Sequence, residues 1–196
     1  SHPIDGAVLM GGCDKTTPGL VMGALSMGVP FIYVPAGPML RGHYRGDVLG
    51  SGTDSFKYWD ERRAGLLSEQ EWVGVEGGIA RSHGHCMTMG TASTMASMVE
   101  SLGMSLPENA AIPAVDGRRN RLAQFTGRRI VQMVKDNLTM DKIMTRKAFE
   151  NAIKVNAAIG GSTNAVVHLL AMAGRIGVPL SLKDWDDLAS ELPCLL

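Results

Sequence analysis

The chain has 196 residues, and its 19 acidic side chains balance 19 basic ones, so the basic footprint of a nucleic-acid partner is missing. A hydrophobic share of 45% against 19% charged excludes a disordered or fibrous chain and predicts a well-buried globular core. No apolar run approaches the roughly 20 residues that cross a bilayer, so no membrane partner is expected.

Residues 7–10 are uniformly apolar and bounded by glycines, which predicts a short buried strand. Thr16-Thr17-Pro18 predicts a helix start, with a hydroxyl cap and a proline in the first turn. That helix runs through Leu20, Val21, Ala24 and Leu25 to about Gly28, and residues 30–34 form a second apolar strand. Strand, helix and strand within about 30 residues make a βαβ unit, whose parallel strands are covered by helices. The predicted fold is α/β: a parallel sheet with helices on both faces, in three layers, and a helix-rich second half.

Ligands of such sheets sit at the carboxyl ends of the strands. Cys13-Asp14-Lys15 holds that place after the first strand, and Pro35-Ala36-Gly37-Pro38-Met39 after the second. Residues 41–53 read as a long polar, glycine-rich loop of the kind that lines sites. Asp54 or Ser55 caps a helix through Phe56, Trp59 and Arg63, and Ser68 with Glu71 forms a capping box for another through Val75 to Ala80. Cys86 opens a helix-like stretch, and its nearly uncharged part, residues 88–102, predicts a buried helix. Further helices are expected at 116–137, 145–157, 163–176 and 182–190. The cluster Arg118-Arg119-Asn120-Arg121 reads as a solvated helix start, and the 13 methionines as mostly core filler. The start at Ser1 and the closing Leu192-Pro193-Cys194-Leu195-Leu196, which resembles the beginning of a new element, read as an internal segment of a longer protein.

Three cysteines do not make a disulfide framework; the odd count suggests thiols kept free in a reducing compartment, the cytoplasm. A phosphate loop is excluded, because aligning on Lys15-Thr16 puts Leu9 and Asp14 where its two glycines belong. Metal chemistry fits better. A Cys13 thiolate suits iron or zinc, the Asp14 carboxylate suits Mg²⁺ or Mn²⁺, and Lys15 adds a reactive amine. The plainer alternative is a buried cysteine beside a helix-capping Asp. Cys86 follows 73 residues after Cys13 with no C-x-x-C pair, so any cluster is assembled from distant segments and needs a third ligand. Cys194, between apolar neighbours, reads as a core residue. His83 and His85 are candidate ligands or hydrogen-bond donors, or simply structural. Gly160-Gly161-Ser162-Thr163-Asn164 opens a helix with hydroxyls, either an anion site involving Ser162 and Thr163 or an ordinary N-cap.

Together, Cys13-Asp14-Lys15-Thr16-Thr17-Pro18-Gly19, Pro35 to Met39, Gly84-His85-Cys86 through Met95, and Ala158 through Ala165 resemble the family of dihydroxy-acid, 6-phosphogluconate and sugar-acid (aldonate) dehydratases. The resemblance implies that residues 1–196 are an internal part of an N-terminal iron–sulfur domain, with an upstream segment and a C-terminal domain outside them. It implies Cys13 and Cys86 as two of three thiolate ligands of a [2Fe–2S] or [4Fe–4S] cluster. Asp14 would bind Mg²⁺, and Lys15, the candidate catalytic residue, would join it once carbamylated. The implied reaction removes water from a 2,3-dihydroxy acid to give a 2-keto-3-deoxy acid. Residues 86–95 and the polar loop at 41–54 resemble the sugar-acid branch, with dihydroxy-acid dehydratase of branched-chain amino-acid synthesis as the alternative. The implied partner is a small hydroxy acid, and the implied assembly a homodimer or homotetramer. With the third cysteine and the base outside this segment, the segment alone is expected to be inactive. A non-catalytic iron–sulfur electron carrier or sensor is the reading from another class; it has no use for Asp14-Lys15.

Overall fold

The computed structural model describes residues 3–195. Strand β1 (Ala7–Gly11) leads through helix α1 (Thr16–Met27) to strand β2 (Phe31–Pro35), and the strands pair in parallel with Ala7 opposite Phe31 and Gly11 opposite Pro35. Gly28, at φ 70°, ends α1 in the left-handed conformation that glycine adopts freely. The expected hydroxyl cap is corrected: Lys15 precedes the first turn and no side chain caps it. Thr17 is instead buried, and its hydroxyl accepts a hydrogen bond from the Tyr33 phenol at 3.0 Å, tying α1 to β2. The Thr17 N–H is satisfied by the Cys13 carbonyl at 3.3 Å.

Residues 40–82 leave the sheet and return to it. They carry strands β3 (Gly42–Tyr44) and β4 (Asp47–Leu49), then helices α2 (Thr53–Arg63) and α3 (Glu69–Ile79). The hairpin replaces part of the expected loop. Arg45 and Gly46 both have positive φ, 50° and 92°, as a tight two-residue turn between twisted strands demands. Helix α2 starts at Thr53 after Gly52, not on Asp54 or Ser55; the Asp54 carboxylate accepts from the Gly50 N–H at 2.6 Å instead. The capping box of α3 is formed as expected. The Glu71 N–H donates to the Ser68 hydroxyl, and the Ser68 N–H donates to the Glu71 carboxylate at 2.8 Å.

The second half is helical: α4 (Thr91–Ser101), α5 (Gly117–Lys135), the short α6 (Met140–Ile143), α7 (Arg146–Ala158), α8 (Asn164–Arg175) and α9 (Lys183–Ala189). Apart from α6, which the sequence did not announce, these lie within a few residues of expectation; α4 begins later, because residues 86–90 form an irregular turn. The main core joins α1, β2, α4, α7 and α8 through Val21, Phe31, Tyr33, Met95, Phe149 and Leu169, and buries seven of the thirteen methionines. Helix α5 packs on the other side of the strands, where Met10 and Val34 share a crevice with Arg119 and Ala123, so helices flank both faces.

Four side chains depart from expectation: Val8, Met10, Arg119 and Cys194. Strand β1 is not uniformly buried: Ala7 and Leu9 pack on the core, while Val8 and Met10, which alternate to the opposite face, are exposed. Arg119 is buried, not solvated. It donates to the carbonyls of Pro35, Asn109 and Ile112 and to the Asn109 side chain, lacing the end of β2 to the segment before α5. Cys194 is exposed, because residues 191–195 lie on the surface and not in the core. No described helix is long and apolar enough to cross a membrane.

Candidate functional site

The first functional turn follows β1. Asp14 Oδ1 accepts the Lys15 N–H at 2.8 Å and faces the Cys13 thiol at 3.5 Å, which leaves Oδ2 the less engaged oxygen. The Lys15 Nζ stands 3.9 Å from Asp14 Oδ2 and 3.4 Å from His168 Nε2 on α8. Cys13 is exposed and free of any disulfide.

The second turn carries Cys86, also exposed and free. It is held against the segment after β2. His85 donates its N–H to the Gly37 carbonyl and Met39 donates its N–H to the His85 carbonyl, both at 2.9 Å. Gly84 makes the approach possible. Its φ is 129°, and a Cβ there would lie 2.6 Å from the Met39 nitrogen. The His85 ring is buried. Its Nδ1 lies 2.9 Å from the Cys86 carbonyl, and a carbonyl only accepts, so Nδ1 carries the proton. Burial pushes the imidazole pKa down, more than the Cys86 carbonyl raises it, which favours the neutral ring; Nε2 then presents a lone pair with no protein partner.

The two turns meet at one contact. A Cβ placed on Gly12 would stand 3.0 Å from His85 Cδ2 and 2.7 Å from the Ala36 Cβ, so glycine is required for the fit. Cys13 and Cys86 are each one residue from it, on adjoining turns. This sets the turn that carries Cys13, Asp14 and Lys15 beside the turn that carries Cys86.

The Gly160–Asn164 turn joins from a third direction. Ser162 Oγ and Thr91 Oγ1 lie 2.8 Å apart, the Asn164 amide donates to Thr91 Oγ1 at 2.9 Å, and the Ser162 N–H donates to Thr94 Oγ1 at 3.0 Å. Thr163 is exposed. These bonds knit the start of α8 to the start of α4, while the Lys15–His168 contact joins the second turn of α8 to the start of α1. The starts of α1, α4 and α8 are thus tied to one another beside the cysteine turns, and each carries the partial positive charge of a helix N-terminus. That is favourable for thiolates and for an anionic substrate. His168 is half-buried, and burial first, then the Lys15 cation, lowers its pKa. His83 is exposed.

Sequence reasoning missed His168, Thr91, Asn164 and Arg119 as parts of this arrangement. Only Thr91 and Asn164 carried a signal, as hydroxyl and amide groups at helix starts. A crevice of about 250 Å³ opens beside the first turn, between Met10, Gly11, Pro35, Ala36 and Arg119. A larger one of about 500 Å³ runs along α4 and α7, lined by Ser97, Glu100, Val155 and Ile159. We associate the chemistry with the cysteine turns, since in the larger cavity the hydroxyls of Ser97 and Ser101 donate to helix carbonyls and Glu100 is engaged by the N–H groups of Glu108 and Ala110.

The donor set suits an iron–sulfur cluster and a hard cation in kind. Two accessible, unpaired thiols offer soft ligands, and one carboxylate oxygen accepts no hydrogen bond. It does not complete either centre. Among the described residues no three His, Cys, Asp or Glu side chains gather as a metal site.

Over residues 1–196 the chain matches the family described as dihydroxy-acid/6-phosphogluconate dehydratase N-terminal. It is 59% identical over 195 residues to L-arabinonate dehydratase of Rhizobium leguminosarum bv. trifolii, covering 100% of this chain and 34% of that protein. It is 50% identical over 196 residues to 6-deoxy-6-sulfo-D-gluconate dehydratase of Pseudomonas putida, again covering 100% of this chain and 34% of the relative. Dihydroxy-acid dehydratase of Pelobacter propionicus is 43% identical over 196 residues, covering 100% of this chain and 35% of its own length. The chain thus spans about a third of the length of these relatives.

Proposed function

The chain belongs to the dihydroxy-acid/6-phosphogluconate dehydratase family, and on that footing we propose that the full-length protein is a hydro-lyase acting on a sugar acid. The product is a 2-keto-3-deoxy acid. The observation that carries this reading is the meeting of the Cys13-Asp14-Lys15 turn with the Cys86 turn at the Gly12–His85 contact. An electron carrier needs thiolates but has no role for a carboxylate and an amine beside them. The sugar-acid branch is favoured because relatives at 59% and 50% identity are named for sugar-acid substrates, against 43% for a dihydroxy-acid dehydratase.

In this reading Cys13 and Cys86 supply two thiolates to an iron–sulfur cluster, and Asp14, with Lys15 after carbamylation, holds Mg²⁺. When bound, these metals supply Lewis acidity, for the departing 3-hydroxyl and for the enolate that forms as the C2 proton leaves. The chain's own residues orient the substrate. The hydroxyl of Thr91 or Ser162 that is left over from their mutual hydrogen bond is a donor for a substrate oxygen, next to the N-terminus of α8. Ser162 and Thr163 thus face the acid or its hydroxyls. The three adjoining helix N-termini favour its negative charge.

The test is keto-acid formation by the full-length protein from a panel of aldonates and 2,3-dihydroxyisovalerate, with and without Mg²⁺. Turnover of an aldonate that fails without Mg²⁺ is expected. Preference for 2,3-dihydroxyisovalerate would assign the protein to the branched-chain pathway, and a reversible redox couple with no turnover would identify a carrier.

A further inference from the structure

We infer that His168 is a positioning residue: its Nε2 accepts the Lys15 ammonium and so keeps that cation off the Oδ2 oxygen of Asp14. The inference builds on the proposed role of Asp14 as a hard-cation ligand and names the residue that, in the metal-free chain before Lys15 is carbamylated, leaves that carboxylate available.

Lys15 Nζ lies 3.4 Å from His168 Nε2 and 3.9 Å from Asp14 Oδ2. A charge-assisted hydrogen bond closes to about 2.7–2.9 Å, so neither contact is fully closed, but the ammonium stands nearer the imidazole and its ion pair with Asp14 remains open. A lysine stem has four rotatable bonds and can close such a gap readily. The helix that carries the histidine cannot follow. His168 sits on α8 between Ala165 and Leu169, both fully buried in the core that α8 shares with α1. An acceptor on a fixed helix therefore restrains a flexible donor across 153 residues of sequence.

The hydrogen-bond inventory supports the same assignment. An ammonium only donates, so the imidazole nitrogen facing it carries the lone pair and Nδ1 carries the proton. Asp14 Oδ1 is already engaged by the Lys15 N–H and the Cys13 thiol. Oδ2 is the oxygen left for a cation, and it is the one that the Lys15 head would otherwise cover.

The full-length protein, stripped of metal by a chelator, is treated with an amine-acylating reagent, and labelling rates at each lysine are read by peptide mass spectrometry. His168→Phe is expected to slow labelling of Lys15 about two- to fivefold, the scale of an exposed ion pair once formed. The exposed Lys57 serves as internal reference and keeps its rate. His168→Gln, whose side-chain oxygen can accept, restores the wild-type rate; His168→Leu, read alongside, guards against a packing effect of the larger ring. Adding Asp14→Asn to His168→Phe removes the slowing. An unchanged Lys15 rate in both His168→Phe and His168→Leu, equal slowing at Lys57, or slowing that survives Asp14→Asn overturns the inference. Mn²⁺ binding followed by electron paramagnetic resonance separates it from the underlying reading. If Asp14→Asn leaves Mn²⁺ binding to the otherwise wild-type protein unchanged, the hard-cation role of Asp14 fails, while the labelling result still decides His168.

Discussion

The sheet with its helices and the excursion at residues 40–82 are held together by different forces. The first buries an extended cluster running from Val21 through Phe31 and Met95 to Leu169. The second buries only Leu49, Tyr58 and Val75, and is otherwise fastened at its surface. Its fasteners are the Ser68–Glu71 capping box, the Arg45–Glu71 ion pair at 2.5 Å, and Arg62 stacked on Trp59 and Trp72. Both feet of the excursion stand where Pro38 meets His85, beside Cys86. The rigid part thus carries the candidate ligands, and the loosely built part hangs next to them. A segment of low local stability in that place can adjust around a substrate without moving the thiols.

The largest expected effects break this comparison if it is wrong. Phe149→Ala, in the fully buried centre, should cost about 3–5 kcal/mol in urea unfolding. Val75→Ala should cost about 2 kcal/mol. Its hydrogen exchange should rise over residues 42–79 while α4 stays protected; equal loss of protection in both regions would mean that they form one cooperative unit. Arg119→Met should cost about 3 kcal/mol, because it orphans the buried Asn109 side chain and carbonyls of Pro35 and Ile112. Thermal unfolding measures that loss.

Gly12→Ala sharpens the link between fold and site. The added methyl meets Ala36 and His85, and forcing it in costs about 1–3 kcal/mol and parts the two cysteine turns. Iron bound per full-length chain should fall, whereas Gly23→Ala, with open space around it, should leave iron content unchanged.

The smallest effect is in pH. The Ser68 backbone N–H, then the Ser68 hydroxyl and Arg45, hold the Glu71 pKa down at about 2. A carboxylate depressed in the folded state stabilises it above the unfolded value of about 4.3, and that contribution is lost as pH falls through about 2. Protection of the α3 amides should therefore decline from about pH 4.5 to pH 2. Glu71→Gln, which can still complete the capping box but does not titrate, should flatten that decline.

What the sequence disclosed follows from how local each signal is. The βαβ unit and the α3 capping box were legible because apolar runs, Gly28 and the Ser68–Glu71 spacing act within a few residues. The β3–β4 hairpin was not, since its Arg45-Gly46 turn lacks the usual Asn-Gly or Asp-Gly pair. The functional types at Cys13, Asp14, Lys15 and Cys86 stood out by their neighbours. Their meeting depends on Gly12 touching His85 across some seventy residues, which no local pattern encodes. Arg119 was misread because a run of arginines does not reveal which one the fold buries. Thr17 was misassigned for a related reason: a hydroxyl at a helix start caps the helix unless a buried phenol claims it.

The most direct test of the account is the proximity of Cys13 and Cys86. A short crosslinker reactive with thiols at both ends, applied to the metal-free full-length protein, can be mapped by peptide mass spectrometry. The account predicts a Cys13–Cys86 crosslinked peptide as the main product involving these residues, lost in Gly12→Ala. Efficient single labelling of both thiols with no link between them would contradict it.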